Sequence, residues 1–257
     1  MSSAALADTS GTTESISARA RLYPETRFGE FSRRDGTLAF YARVNALLTP
    51  RFRVLDYGCG VGAHIRELDP FLQALQTMRG KVAEVIGADV EEGSTNPYID
   101  RFVAIKDYTV PLDTASIDLC ICDWGVEHFD APSRFVAECR RVLRPGGYLC
   151  IRTPNRLHYS SLGASILPFR YHQAVRRRLG QFHTADDVFP THYRCNTRGR
   201  LRRTLEHHEF DAHVWSHRGD SHLVGAGWLP GLLGELVEWA SPSVFWHELH
   251  AFAQKRA

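Results

Sequence analysis

The stretch Val54-Leu-Asp-Tyr-Gly-Cys-Gly-Val-Gly62 decides the fold. Residues 53–56 are typical of a short β-strand, glycines follow at every second position from Gly58 to Gly62, and a helical pattern extends over 63–78. A strand that turns through glycines into a helix brings main-chain N–H groups close to a ligand. The stretch therefore predicts a ligand-binding turn at the edge of a sheet.

Strand and helix patterns alternate along the rest of the chain. The run 116–123 is almost continuously apolar, as expected for a strand buried on both faces. Alternating strands and helices predict an α/β fold with a doubly wound parallel sheet and right-handed crossovers. Further strands are predicted at 82–90, 101–106, 148–152, 212–217 and 244–254, and further helices at 37–48, 132–143, 197–208 and 223–239.

Three carboxylates lie at or just after the ends of predicted strands and indicate the kind of ligand. Asp56 lies two residues before the first glycine, where it would repel a pyrophosphate and would suit a ligand with a sulfonium and an ammonium group. The glycine spacing alone also fits the dinucleotide fingerprint. Asp89 is placed to accept hydrogen bonds from both ribose hydroxyls of an adenosine ligand, a feature that dinucleotide enzymes share. Asp107 is either an acceptor for the adenine amino group or a turn residue.

Five segments resemble, in order, the motifs of class I S-adenosylmethionine-dependent methyltransferases: 54–62, 86–89, 112–118, 123–128 and 143–147. The resemblance implies a Rossmann-like, seven-stranded sheet whose last strand is antiparallel, with S-adenosylmethionine as the cofactor. It implies cofactor contacts from residues on the strand ends and the turns after them, namely Asp56, Gly58, Cys59, Gly60, Asp89, Val90, Asp107, Tyr108, Asp123 and Trp124.

A narrower resemblance concerns the acceptor. Segments 31–37, 96–97, 153–155 and 187–197 resemble a bacterial methyltransferase subgroup often associated with exopolysaccharide or secondary-metabolite pathways. The resemblance does not fix a substrate. It favours a small-molecule or glycan-like acceptor, and we expect methylation at oxygen first, then at nitrogen or carbon.

His128 is the candidate general base, because it follows the fourth strand at the edge where ligands bind and imidazole titrates near neutral pH. The alternative is a histidine that caps a loop or packs beneath other residues. Glu127-His128 also matches part of a Glu-x-x-Glu-His arrangement in ubiquinone-biosynthesis O-methyltransferases. Trp124 replaces the first glutamate of that arrangement, so we expect no metal.

Residues 156–196 interrupt the alternation and are rich in histidine, arginine and aromatic residues. We interpret them as a lid or substrate-binding insertion within one methyltransferase domain over 26–257, preceded by a disordered leader over 1–25. Polar aromatic side chains in such an insertion suit a hydroxylated substrate. The candidate substrate-binding residues are His158, Tyr159, His192 and Tyr193.

The composition is that of an ordinary globular protein, with 44% hydrophobic and 23% charged residues and a net charge of +2. The bulk charge indicates neither a nucleic-acid partner nor an anionic membrane, and no apolar run reaches the ~20 residues of a membrane span. Six cysteines without zinc-site spacing favour reduced thiols and a cytoplasmic location. Whether the chain forms a homodimer is left open.

Two other functions remain open from the sequence. A regulatory or scaffold protein that binds the cofactor without turnover would carry the same glycines and carboxylates. A nicotinamide-dependent oxidoreductase is disfavoured by Asp56 and by the expected antiparallel terminal strand.

Overall fold

The computed structural model describes residues 18–66, 68–90, 95–166 and 190–256. The helices are α1 (Gly36–Leu47), α2 (Ala63–Arg66), α3 (Pro70–Gln76), α4 (Pro132–Val142), α5 (Tyr159–Ile166), α6 (Arg198–His207) and α7 (Trp228–Ala240). The strands are β1 (Arg53–Tyr57), β2 (Glu84–Asp89), β3 (Arg101–Ala104), β4 (Ile117–Asp123), β5 (Leu143–Pro154), β6 (Phe210–His217) and β7 (Glu248–Lys255). Short 3₁₀ turns lie at Pro24–Arg27, Val126–His128, His222–Ala226 and Ser243–Phe245.

All seven strands form one sheet in the order β3-β2-β1-β4-β5-β7-β6. Strands β1 to β5 pair in parallel, and β7 runs antiparallel to both of its neighbours, β5 and β6. This confirms the predicted α/β sheet with an antiparallel last strand. The order reverses between β1 and β4, and in open α/β sheets ligands bind beyond the carboxyl ends of the strands at such a switch point.

Strand β4 shows how the sheet separates two apolar layers. Leu119 and Ile121 pack with Phe40 and Val44 of α1 on one face. Cys120 and Cys122 belong to the cluster on the other face, beneath α4 and α6. Strand β4 is therefore buried on both faces, which is why its sequence is apolar almost without interruption. All six cysteines are buried free thiols.

Several predicted boundaries are wrong, and two of them have a clear local cause. The helix expected over 63–78 is divided into α2 and α3, because Asp69 caps a new helix through the N–H groups of Phe71 and Leu72 and Pro70 occupies its first turn. The helix expected over 223–239 is interrupted at Gly227, whose φ is +115°. Strand β5 begins at Leu143, earlier than residue 148, with a register irregularity opposite Ile117 and Leu119.

The expected leader over 1–25 also ends too late. Residues 18–22 are helical, and Tyr23 is buried against the C-terminal half of the chain. Residues 1–17 lie outside the described part of the chain, as do 167–189 of the predicted lid. Within the described ranges, no helix combines the length and the apolar character needed to cross a bilayer.

Candidate active site

The carboxyl ends of β1 and β4 supply two acidic side chains to one small cavity. Asp56 is near the end of β1 and Asp123 is the last residue of β4. The two strands are neighbours in the sheet, so the topology brings these carboxylates together at the switch point. The cavity is lined by Tyr41, Asp56, Gly58, Ile65, Gln76, Met78, Tyr98 and Asp123.

Asp123 is held by a buried ion pair with Arg152 of β5. Arg152 Nε lies 2.6 Å from Asp123 Oδ1, and its terminal nitrogen donates to Oδ2 at 2.8 Å. The Tyr41 hydroxyl also donates to Oδ2, at 3.0 Å. Such a bidentate, buried pair fixes the end of β4 and neutralises its charge locally. Neither Arg152 nor Tyr41 was predicted as a site residue, because neither follows a glycine motif.

Asp56 has a different environment, because none of the described side chains donates a hydrogen bond to it. Burial, together with the nearby carboxylates of Asp123 and Asp89, raises the pKa of Asp56 to about 7. A cationic group placed beside Asp56 would relieve both effects. The cavity therefore favours a positively charged ligand group at this position.

The glycine turn leaves space above it but has already used its amide donors. Gly58 and Gly60 have φ values of +85° and +48°, and no atom lies within 4 Å of where a Cβ would stand at either residue. The Gly58 and Cys59 N–H groups donate to the Ala88 carbonyl, and the Gly60 N–H donates to Asp89 Oδ2. This corrects the expectation that these amides face a ligand. These N–H groups could therefore not donate hydrogen bonds to a pyrophosphate. A ligand group that needs only close approach to the main chain could still bind here.

Asp89 lies at the end of β2, and each of its oxygens accepts one main-chain bond. Gly60 N–H donates to Oδ2 at 2.9 Å and Val90 N–H donates to Oδ1 at 2.7 Å. A carboxylate oxygen has two lone pairs, so each oxygen can accept a second donor such as a ribose hydroxyl. The side chains of Val61 in the glycine turn and of Val90 next to Asp89 are exposed, as is that of Trp124 after β4.

Asn96 stabilises the glycine turn through hydrogen bonds, a role that no sequence pattern predicted. Its amide group donates to the Cys59 carbonyl at 2.9 Å and to the Gly60 carbonyl at 3.3 Å, and its Oδ1 accepts from the Tyr98 N–H. A Cβ at Gly62 would approach Asn96 Oδ1 to 2.7 Å. Glycine at 62 therefore allows the close packing of Asn96 beneath the loop.

His128 ends the 3₁₀ turn that follows β4, near a buried glutamate. Its Nδ1 lies 3.2 Å from the Pro190 carbonyl oxygen, and its Nε2 lies 3.9 Å from Glu127 Oε1. Burial raises the pKa of Glu127 to about 7, although Thr153 donates a hydrogen bond to its carboxylate. The Glu127 carbonyl accepts the N–H groups of His192 and Tyr193. The structure thus brings residues 190–193 beside His128.

The comparisons with known proteins agree with this geometry. Residues 55–151 match a methyltransferase domain family. The chain is 33% identical over 112 residues to a protein from Mycolicibacterium smegmatis named "Probable S-adenosylmethionine-dependent methyltransferase", covering 42% of this chain and 40% of that protein. It is also 33% identical over 130 residues to a ubiquinone biosynthesis O-methyltransferase of Mesorhizobium japonicum, covering 46% of this chain and 47% of the relative. The alignments thus span less than half the length of either relative.

A similar fold occurs in the crystal structure of a SAM-dependent methyltransferase from Archaeoglobus fulgidus. The TM-score is 0.52 at 20% identity, over 90% of this chain and 97% of that one. The chain contains a class I S-adenosylmethionine-dependent methyltransferase domain. The family and the fold imply S-adenosylmethionine as the cofactor of this domain.

The methyltransferase site fits this cofactor on its own chemistry. The buried Gln76 Oε1 has no hydrogen-bond partner in the described part of the chain and can accept from an ammonium group. Asp56 offers the negative charge that a cationic cofactor requires, and Asp89 offers acceptors for a diol. S-adenosylmethionine supplies an activated methyl group on a sulfonium, and the bare space over Gly58 and Gly60 allows close approach.

Two predicted adenine contacts remain predictions. Asp107 is exposed, and both of its carboxylate oxygens pair with Arg134 of α4, which lowers the pKa of Asp107. The Tyr108 hydroxyl donates to Asp130 at 2.5 Å and accepts from the Ala131 N–H. In this structure both side chains are thus engaged with the segment around the start of α4.

His158 lies just before α5, in the interior of the protein. It is buried; its Nδ1 accepts from the Ser160 N–H at 3.3 Å, and its Nε2 donates to Glu238 at 3.0 Å. Its ring lies 4.1 Å from that of Tyr159. His158 thus joins the start of α5 to α7, and its substrate contact stays a prediction. His192 is exposed and Tyr193 is half-buried, so both remain substrate candidates.

Proposed function

We propose that the protein methylates a hydroxyl oxygen of a small-molecule or glycan-like acceptor, with His128 as the general base. The observation that supports this most is the contact between His128 Nδ1 and the Pro190 carbonyl. A carbonyl oxygen can only accept a hydrogen bond, so Nδ1 carries the proton in the neutral ring. Nε2 then keeps its lone pair and can take the proton of a hydroxyl group.

The surroundings of His128 suit this role. Residues 190–193 are anchored to the Glu127 carbonyl, which places two ring-bearing residues, His192 and Tyr193, beside the proposed base. Glu127 is itself fixed by Thr153, and Asn196 donates to the Thr153 hydroxyl at 2.7 Å. Glu127, whose Oε1 lies 3.9 Å from His128 Nε2, is therefore held in one orientation beside the proposed base.

Substituting His128 tests the proposal. We expect His128→Ala to lower the catalytic rate by the 10²–10⁴ typical of a positioned proton acceptor, while affinity for S-adenosylhomocysteine changes little. The rate of the wild-type protein should fall on the acid side, because protonation removes the acceptor lone pair of an imidazole. Radiolabelled methyl transfer to a panel of phenolic and sugar hydroxyl acceptors would measure both effects.

His213→Ala is a matched control, because His213 is an exposed histidine on β6. It should leave rate and affinity unchanged. Turnover of His128→Ala at the wild-type level would reject His128 as the base. Binding of S-adenosylhomocysteine without methyl transfer to any acceptor would instead favour the alternative of a regulatory cofactor-binding protein.

We further propose that the six buried thiols reflect a reducing, cytoplasmic location.

A further inference from the structure

Helix α7 is oriented with its polar side chains inward and its large apolar side chains outward. The inward positions are Gly231, Gly234, Glu235 and Glu238. At 100° per residue these four positions cover one side of the helix. A surface helix of a globular protein normally shows the opposite arrangement.

Ion pairs fix this orientation. Glu235 pairs with Arg34 at 2.5 Å and with Arg218 at 3.5 Å, and it also accepts from the Tyr23 hydroxyl. Glu238 Oε1 accepts a hydrogen bond from His158 Nε2 at 3.0 Å. Rolling the helix to bury its leucines would expose these bonds and leave Arg34 without its carboxylate, which is costly for partly buried charges.

The outward face of α7 is apolar over about half of the helix circumference. Leu229 and Leu233 are each 62% exposed and Trp239 is 76% exposed. The outward face consists of Trp228, Leu229, Leu233, Leu236, Val237 and Trp239. Contiguous exposed apolar patches of this kind mark interaction sites. Trp228 and Trp239 lie eleven positions apart, close to the same edge of the face and at its two ends.

Positive charge lies in the segment that packs against α7. The only charged residues of α7 are the two inward glutamates, so the outward face has no charge of its own. The neighbouring segment 18–36 holds five arginines against three acidic residues. It packs on the inward side of α7, since a Cβ at Gly231 would approach Leu22 to 2.6 Å. Arg21 and Arg33 of this segment are exposed, and Phe28 is 70% exposed.

We propose that the outward face of α7 binds the surface of an anionic lipid bilayer, with the helix lying in the interface and the exposed Arg21 and Arg33 against the headgroups. Leucines reach the acyl boundary in such a geometry, and tryptophan is enriched at the level of the headgroups. In a dimer formed through this face, a second copy would cover the leucines. It would bring no acidic side chain to the arginines, because the outward face of α7 has none. Anionic lipid supplies both kinds of contact, and the helix lies on the membrane without crossing it.

Vesicle co-sedimentation tests the proposal with the full chain. We expect binding to phosphatidylcholine vesicles that contain a quarter phosphatidylglycerol, and much weaker binding to phosphatidylcholine alone or in high salt. Leu229→Asp and Leu233→Asp should each lower the partition coefficient at least tenfold. Arg21→Ala and Arg33→Ala should each lower it by about fivefold and reduce the dependence on salt.

Phe71→Asp is the matched control, because Phe71 is an exposed aromatic side chain on α3. It should bind vesicles like the wild-type protein. An unchanged thermal shift with S-adenosylhomocysteine shows that each variant is folded. Equal partition for Leu233→Asp and wild type would overturn the proposal. A second outcome would also overturn it: sedimentation velocity shows a dimer that Leu233→Asp dissociates, and neither protein binds vesicles. The face would then be covered by a second copy of the chain.

Discussion

Asp56 is the residue whose ionisation we expect to affect cofactor binding most directly. Its pKa is raised to about 7, so below that pH the free protein holds a proton there. A sulfonium favours the ionised carboxylate, and its binding must then release the proton. We expect the affinity for S-adenosylmethionine to rise between pH 6 and pH 8, by up to tenfold per unit below pH 7. S-adenosylhomocysteine keeps the ammonium group but has a neutral thioether in place of the sulfonium, so it should show a weaker dependence.

Calorimetric titrations with both compounds at several pH values would measure this difference. Asp56→Asn is the control variant, because it keeps the shape of the side chain and removes the titrating group. In that variant the ratio of the two affinities should be flat across the same range. A ratio that changes with pH in Asp56→Asn as it does in wild type would assign the effect to another group.

Arg152 is the residue whose loss should most affect stability at the site. Its guanidinium is buried with Asp123, and removing one partner leaves an uncompensated buried charge. We expect Arg152→Ala to lower the free energy of unfolding by about 3–5 kcal/mol. Arg79→Ala, which breaks the exposed Arg79–Asp100 pair, should cost less than about 1 kcal/mol. Urea denaturation of both variants measures the contrast, and equal losses would contradict it.

The sequence predicts the acidic residues of the site better than their partners. Asp56, Asp89 and Asp123 follow strands, so their common edge is inferable from alternation alone. Arg152 reaches Asp123 from 29 positions away and Tyr41 from 82 positions away, and no local pattern encodes such contacts. His158 is a similar case, because its position in the insertion predicts a substrate contact but not its burial or its bond to Glu238, 80 positions away.

At the scale of elements, the type of each segment was predictable and its ends were not. Periodicity identifies strands and helices because each burial pattern has its own repeat. Ends depend on single residues such as Asp69, which caps α3, and Gly227, which breaks the last helical run. The inverted orientation of α7 could not be predicted, because it depends on partners from distant segments such as Arg34 and His158.

We expect the shape of the glycine turn to matter for ligand binding more than for folding. No atom lies near the Cβ position of Gly60, so valine there should be tolerated by the folded protein apart from about 1–2 kcal/mol of backbone strain. We expect Gly60→Val to abolish binding of S-adenosylhomocysteine, since the side chain fills the space above the loop. Equilibrium dialysis, with circular dichroism to verify folding, measures this.

Gly80→Val provides the matched comparison. Gly80 also has a positive φ, +83°, with no atom near its Cβ position, but it lies outside the glycine turn, between α3 and β2. It should suffer similar strain and bind S-adenosylhomocysteine normally. Normal binding by Gly60→Val as well would show that the cofactor does not approach this turn.

At the scale of the whole molecule, the strand order places the site. Parallel strands end at one edge, and the reversal between β1 and β4 opens a crevice there. The antiparallel β7 completes the sheet and carries Glu248, which lies within 3.4 Å of both His247 and His250. The motifs predicted this architecture, but the acceptor is not encoded in any of them, because it depends on side chains that converge only in the folded chain.

The most direct test of the account is calorimetric titration of the full chain with S-adenosylhomocysteine and with NAD. We predict that S-adenosylhomocysteine binds and that NAD does not, because Asp56 repels a pyrophosphate and the amides of residues 58–60 are already bonded. Asp89→Ala should weaken S-adenosylhomocysteine at least tenfold, since charge-assisted hydrogen bonds contribute about 1.5–3 kcal/mol each. Binding of NAD without binding of S-adenosylhomocysteine, or an unchanged affinity in Asp89→Ala, would contradict it.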